Sequence, residues 1–301
     1  MKLALADLPA PFLAESRVVA CGAGERWHDF RRVLTEAGVP DGEVAHDLPG
    51  VLAFLSSLRD SRLKRIQTVL DGMADGTFPS SLRKPIGPDG KLLLTEGRVA
   101  LSRSNDQRPA QMVVGFSKFA TALADPFSAI RLPEADAQYD AEAVLVAIIG
   151  RHSARTTEAG AARAVIGFTL MAEITDRSMF DEEARTNNSL FSKNRMGLSP
   201  FGPCIWVASP RELSPATEVT LRVNGTLRQK FSVGDFAHSV TAAVRAWSRA
   251  VLEPGDGVGL GAAIAHKSAD NMVDSPVPIA AGDTIEVACA PIGTLRARFV
   301  S

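Results

Sequence analysis

Two acids stand two residues apart in QYDAEAVLVAIIG, where Asp140 and Glu142 open a run that reads as a strand. Side chains alternate across a strand, so both carboxylates point to one face, and Val144 follows on that face. A further acid, Glu173, sits inside the otherwise apolar GFTLMAEIT. A carboxylate in such a strand is unfavourable unless it is paired or coordinated. Two chemistries meet that requirement. One is an ion pair, with Arg177 or Lys193 as the cation. The other is a carboxylate-lined site for Mg2+ or Mn2+, hard cations that take oxygen ligands.

Other chemistries leave no mark on the chain. No GxxxxGK[ST], GxSxG, HExxH or EF-hand pattern occurs. GVGLGAAIA (257–265) lacks the spacing of a dinucleotide-binding loop and reads as a turn. The histidines, His28, His46, His152, His238 and His266, include no pair at ligand spacing. Cys21, Cys204 and Cys289 are odd in number, far apart and without CxxC spacing. That excludes a disulfide framework and a cysteine zinc site and implies reduced thiols. With 33 Lys+Arg against 34 Asp+Glu the net charge is −1, which argues against a polyanionic partner. Aromatic residues make up 6% of the 301, with a single tyrosine, Tyr139, so no base-stacking platform for nucleic acid is expected. No apolar run reaches the roughly 18 residues of a membrane span. Asp7 and two prolines interrupt MKLALADLPAPFLAES too early for a signal peptide. The expectation is a cytoplasmic globular protein acting on a small molecule, away from membranes and nucleic acid.

The elements that would position these acids fall into two parts. Residues 1–82 read as mostly helical. WHDFRRVLTEAG has Trp27, Phe30, Val33 and Leu34 at helical spacing with Gly38 as a stop. Residues 48–76 continue with Leu52, Leu55, Leu58, Leu63, Ile66 and Leu70 at three- to four-residue intervals. RKPIGPDGK (83–91) is a Pro/Gly break. Beyond it the strand-like pieces KLLL, RVALS, AQMVVGF, AVLVAIIG, AVIGFTLMAEIT, PCIWVAS, EVTLRVNG, TIEVACA and TLRARFV recur between turns. Helical patterns are fewer, EAGAARAVI and SVTAAVRAWSRAVL. Many strands with few helices predict an α+β, β-rich domain over residues 84–301 and not a doubly wound sheet.

The order of these segments resembles the fumarylacetoacetate hydrolase superfamily. FSKFATALADPFSAIRLPEADAQYDAEAVLVAIIGR, VIGFTLMAEITDRSMF and FSKNRMGLSPFGPCIWVAS come first. LRVNGTLRQKFSVGDF, AVLEPGDGVGLG and AAGDTIEVACAPIGTLRARFV follow in the family's order, across about residues 84–301. The resemblance implies a twisted, mostly β catalytic domain, often preceded by a small N-terminal domain, and a homodimer. It also implies an enzyme that cleaves, hydrates, decarboxylates or isomerises 2-oxo acids and β-dicarbonyl compounds through an enolate-like intermediate. In such enzymes a divalent cation held by carboxylates chelates two substrate oxygens and absorbs the developing charge. A His–Glu pair activates water in the hydrolases, and a lysine polarises the carbonyl.

Matched residue by residue, the family's D-Y-E-x-E-L keeps Asp140 and Glu142, but Val144 stands where the second glutamate would be. The family's N-D-V-[ST]-A-R-D becomes Ala172-Glu173-Ile174-Thr175-Asp176-Arg177-Ser178, with Glu173 in the ligand place and Arg177 kept. G-K-S-F-D becomes Ser192-Lys193-Asn194-Arg195-Met196, which keeps the lysine. G-x-N-Y-x-x-H-x-x-E has its counterpart in residues 100–109, without histidine and with Asp106 in its place. The G-T-P loop reads Gly261-Ala262-Ala263. The resemblance therefore implies Lys193, Arg177 and Asp106 as catalytic residues, and Lys193, Arg177 and Gly261 as substrate contacts. Glu142 and Glu173 are the acids of a weak or absent Mg2+ or Mn2+ site. The leading expectation is a C–C hydrolase, lyase, hydratase or isomerase. The alternatives are metal-independent dehydration or cyclisation of a polyketide-like substrate, and a non-catalytic ligand-binding homologue.

Overall fold

A computed structural model describes the chain apart from residues 8–15, 24–25, 41, 46, 77–80, 87–88, 96–112, 114, 135–136, 187–188, 237 and 261–276. Strands β1 (Lys2–Asp7), β2 (Ser16–Cys21) and β3 (Trp27–Asp29) precede helices α1 (Phe30–Glu36), α2 (Leu48–Ser57) and α3 (Asp60–Gly72). Short strands β4 (Ser81–Arg83), β5 (Leu92–Thr95), β6 (Gly115–Lys118), β7 (Leu123–Ala124) and β8 (Ala129–Arg131) come next. The long strands β9 (Tyr139–Ile149) and β10 (Val165–Asp176) are joined through α4 (Glu158–Ala164). Then follow α5 (Arg177–Ala184), α6 (Leu190–Lys193), β11 (Ser199–Val207), β12 (Glu218–Val223), β13 (Thr226–Ser232) and α7 (Val240–Trp247). The chain closes with β14 (Gly257–Leu260), β15 (Pro278–Ile279), β16 (Thr284–Cys289) and β17 (Gly293–Val300).

The strands form two sheets. The larger runs β3-β2-β1-β11-β10-β9-β14-β5-β6, with β4 on β1, β7 on β11 and β15 on β9. The smaller runs β13-β12-β16-β17-β8. This is the β-rich α+β architecture that the strand-dense texture predicts, with β9 and β10 at the centre of the larger sheet. Alternation along β9 sends Ala143, Leu145, Ala147 and Ile149 into a core shared with Val219, Leu221, Ile285 and Val287 of the smaller sheet. The opposite face carries Val144, Val146 and Ile148, which pack with Leu52, Leu55, Ile66 and Leu70 of α2 and α3. The larger sheet is thus sandwiched between the N-terminal helices and the second sheet. Among the described residues no helix is long and apolar enough to cross a membrane.

Helices dominate the regular structure among the described residues of 1–82, but the same segment also gives β1–β3 and the start of β4 to the larger sheet, where Lys2 and Leu3 of β1 pair with Trp206 and Ile205 of β11. Trp27 belongs to β3 and not to the helix, because Asp29 accepts from the Arg31 N–H at 3.0 Å and starts α1 after it. The run 48–76 is two helices, divided at Leu58 and Arg59, which are extended. GVGLGAAIA does not begin as a turn, since Gly257–Leu260 is a strand parallel to β5. Its glycines answer to packing. A Cβ on Gly257 would lie 2.7 Å from Leu92 Cδ1, and one on Gly259 2.1 Å from Leu94 Cδ2.

All three cysteines are free and buried. Burial pushes the Cys204 thiol up to about 12 and the Cys289 thiol up to about 11. The thiolate is the reactive form, so the native protein at pH 8 should give no fast reaction with a thiol-specific disulfide reagent. Three equivalents should appear only on unfolding. A rapidly titrating thiol in the folded chain would contradict this packing.

Candidate active site

The site lies where the acidic ends of β9 and β10 meet. The two strands pair antiparallel with Glu173 opposite Glu142 and Thr175 opposite Asp140. The alternation that buries Val144 and Val146 against the N-terminal helices brings Asp140 and Glu142 to the same face, as their spacing predicts. Opposite residues in such a pair have Cβ atoms about 4.5–5.5 Å apart, so Glu142 and Glu173 are neighbours. At Ala143 the edge of β9 lies between β14 and β15, and its N–H is taken by Gln229 Oε1 of β13 at 2.7 Å. The side chain thus replaces a missing ladder bond behind the acids.

At the end of β10, Asp176 accepts from the Met179 N–H at 3.1 Å and starts α5, which makes Arg177 the first helical residue. Its Nε donates to Asp140 Oδ2 at 2.6 Å, and Nη2 lies 3.9 Å from Glu142 Oε1. The guanidinium also stands over the Phe180 ring, 5.0 Å from its centroid. Burial pushes the Asp140 carboxyl up from its ordinary value, although the Arg177 charge opposes this.

Lys193 ends α6. The helix has only four residues, and its exposed N–H groups are capped from outside. Phe191 N–H and Ser192 N–H donate to the Glu183 carboxylate at 2.7 and 2.9 Å. Asn194 ties the other end down, donating to Ser117 O at 3.1 Å and accepting from Phe119 N–H at 2.7 Å. So held, Lys193 sends Nζ to Thr175 Oγ1 at 2.7 Å and to within 3.5 Å of Glu142 Oε2. The rings of Phe116 and Phe180 flank the ammonium at 5.4 and 5.8 Å. Burial pulls the Lys193 pKa down, but Glu142 and Glu173 outweigh it and leave the amine above its usual range.

Glu142, Glu173, Arg177 and Lys193 therefore converge. Asp106 and Gly261 lie outside the described residues. The ion pair expected for Glu173 exists, but its partner is neither Arg177 nor Lys193. It is Lys118 at the end of β6, whose Nζ donates to Glu173 Oε1 at 3.0 Å. Arg177 is held away by Asp140, and Lys193 by Thr175 and Glu142. The same Lys118 ammonium donates to the main-chain carbonyl of Lys193, one of the carbonyls that a helix end leaves unpaired. Both partners are buried, with side chains 1% and 2% exposed. Burial lowers the Lys118 pKa, with Glu173 opposing. Sequence reasoning missed Lys118, and a signal existed in FSKF, where a cation stands between two phenylalanines in a strand-like stretch.

Residues 94–300 match the fumarylacetoacetate hydrolase C-terminal domain. The chain belongs to the fumarylacetoacetate hydrolase family. A relative is the oxaloacetate tautomerase YisK of Bacillus subtilis (strain 168), 29% identical over 163 residues, which are 54% of this chain and 52% of that protein. The chain thus spans about half the length of that relative. Solved family structures share the fold. Fumarylacetoacetate hydrolase of Exiguobacterium antarcticum superposes with a TM-score of 0.74 at 24% identity, covering 100% of this chain and 99% of that one. Maleylpyruvate hydrolase of Sphingobium sp. SYK-6, in complex with manganese(II) and pyruvate, gives 0.70 at 20% identity, with the same coverages.

Among the described residues no group of three or more His, Cys, Asp or Glu could hold a metal ion. The donors that are present do not suit a divalent cation. Val144, buried and apolar, takes the third acid position. The two acids that remain already have ammonium groups, Lys118 on Glu173 and Lys193 beside Glu142. Glu173 Oε2 is buried with no hydrogen-bond partner among the described residues. It is one oxygen donor, where Mg2+ takes an octahedral shell.

Proposed function

We propose that the protein is an enzyme that enolises 2-oxo acids or β-dicarbonyl compounds, a tautomerase or isomerase. The seat of Lys193 carries this reading. Its side chain is 8% exposed, and its ammonium is flanked by two aromatic rings and set 3.5 Å from the carboxylate of Glu142, a side chain 25% exposed. An acid and a fixed cation side by side are what proton abstraction next to a carbonyl requires. Glu142 takes the proton from the carbon beside the carbonyl, and the C–H electron pair becomes the C=C bond. The carbonyl π electrons pass to oxygen, where the Lys193 ammonium meets the developing charge. Delivery of the proton held on Glu142 to the enolate oxygen gives the enol and completes the tautomerisation, while its return to the original carbon reverses the step. Arg177, 29% exposed with Nε committed to Asp140, offers its remaining N–H groups to the substrate carboxylate. In this reading residues 84–301 are the catalytic unit and residues 1–82 cover the face opposite the second sheet.

Family membership supports the class, and the Bacillus relative is an oxaloacetate tautomerase. The His–Glu pair that activates water in the family's hydrolases has no counterpart in the sequence of residues 100–109, which favours isomerisation over hydrolysis. The test is deuterium exchange. Incubated in D2O with oxaloacetate and a set of 2-oxo acids and 1,3-dicarbonyls, the enzyme should wash out the proton beside the carbonyl of at least one substrate faster than buffer does. Buffer-level exchange across the whole set would refute the reading.

A further inference from the structure

Resting on the enolising reading, we propose that Lys118 and Lys193 act as a fixed pair supplying the positive charge that a divalent cation would otherwise bring to this site. Lys193 is the catalytic member, and Lys118 is a positioning residue that never reaches substrate. One ammonium performs two tasks. Lys118 Nζ donates to Glu173 Oε1 at 3.0 Å and also to the main-chain carbonyl of Lys193. The acid of β10 and the backbone that carries the catalytic amine are thereby tied to a single buried point on β6. Glu173 is one methylene longer than an aspartate, a length that lets a carboxylate rooted in β10 reach that point.

Charge balance gives the same answer. Glu142 and Glu173 carry two negative charges, and Lys118 and Lys193 carry two positive ones, so the four groups balance. Arg177 and Asp140 balance each other separately at 2.6 Å. A divalent cation added to this set would leave two uncompensated positive charges beside largely buried groups, which is strongly unfavourable. Val144 acts in the same direction, since it removes the third negative charge that could offset such an ion.

If the lysines fill the electrostatic place of a cation, removing one should let a cation in. Manganese(II) is titrated into the full chain and free ion is followed by electron paramagnetic resonance, for the native protein and for Lys118→Met, Lys118→Arg and Lys193→Met. Native protein and Lys118→Arg should bind only at millimolar ion, while Lys118→Met gains about tenfold or more in affinity, as loss of a unit charge a few ångströms away dictates. Should Lys118→Met not fold, Lys193→Met removes the same charge and should show the same gain. Micromolar binding to native protein, or equal affinities in native protein and the folded Met variants, would overturn the proposal. This readout needs no turnover, so it stands apart from the deuterium test. In that assay, a chelator should leave native exchange unchanged, and Lys118→Met should lower kcat more than it raises KM, with Lys118→Arg restoring part of the loss. Exchange abolished by chelation, or kinetics indifferent to residue 118, would also overturn it.

Discussion

Lys193→Met is expected to lower enolisation turnover by about 10²–10³-fold, the usual effect of removing one preorganised electrostatic stabiliser, while the protein still folds. Methionine keeps much of the aliphatic volume between the Phe116 and Phe180 rings. What it removes is the charge at the substrate oxygen. The structural loss is modest. Glu142 is partly exposed and can hydrate once its 3.5 Å neighbour is gone, and Thr175 loses one hydrogen bond. A lost hydrogen bond of that kind is worth about 1 kcal/mol. Glu173 keeps its direct buried partner, because Lys118 Nζ still donates to it at 3.0 Å. The melting temperature should therefore fall by only a few degrees. Measuring turnover and melting on the same preparation separates the roles. A destabilised variant with native turnover would end the catalytic assignment of Lys193.

The parts of this site that were legible in the sequence are those governed by local rules. A period of two puts Asp140 and Glu142 on one face, and an acid inside GFTLMAEIT demands a partner whatever the fold. Both inferences hold in β9 and β10. Lys193 and Arg177 came from the order of family segments, and they arrive beside those acids. What was not legible depends on pairing across the chain. The partner of Glu173 is 55 residues away in sequence, and nothing in FSKF says which strand it will meet. Gly257 and Gly259 look like turn residues until Leu92, Leu94 and Val146 occupy the space of their missing side chains. Strands β1–β3 were hidden for the same reason. They exist because β11 offers β1 an edge, and no local pattern announces that edge. The cap on α6 is also non-local, supplied by Glu183 from the preceding helix.

The pair of Lys118 and Glu173 should dominate the stability of the site. Breaking a buried ion pair from one side leaves an uncompensated charge and typically costs about 3–5 kcal/mol. Lys118→Met should show a loss of that size in urea unfolding, since Glu173 is 1% exposed and cannot recruit water without opening the sheet. The double change Lys118→Met with Glu173→Gln removes both charges and should recover most of the loss, giving a strongly non-additive cycle. Glu173→Gln alone differs in its response to pH. Burial already holds the Lys118 pKa below its unfolded value, and Glu173 is the group that opposes this shift. Without Glu173 the folded pKa drops further, so below it the ammonium is buried at full penalty. As pH rises from the folded pKa towards the unfolded value of about 10.4, the folded chain is already neutral at this lysine while the unfolded chain still holds the proton. Stability then increases with pH across that window. The deficit of Glu173→Gln should accordingly shrink as pH rises towards the unfolded lysine value of about 10.4, whereas that of Lys118→Met should not. Parallel deficits for the two variants at every pH would mean that Lys118 and Glu173 do not form a coupled pair.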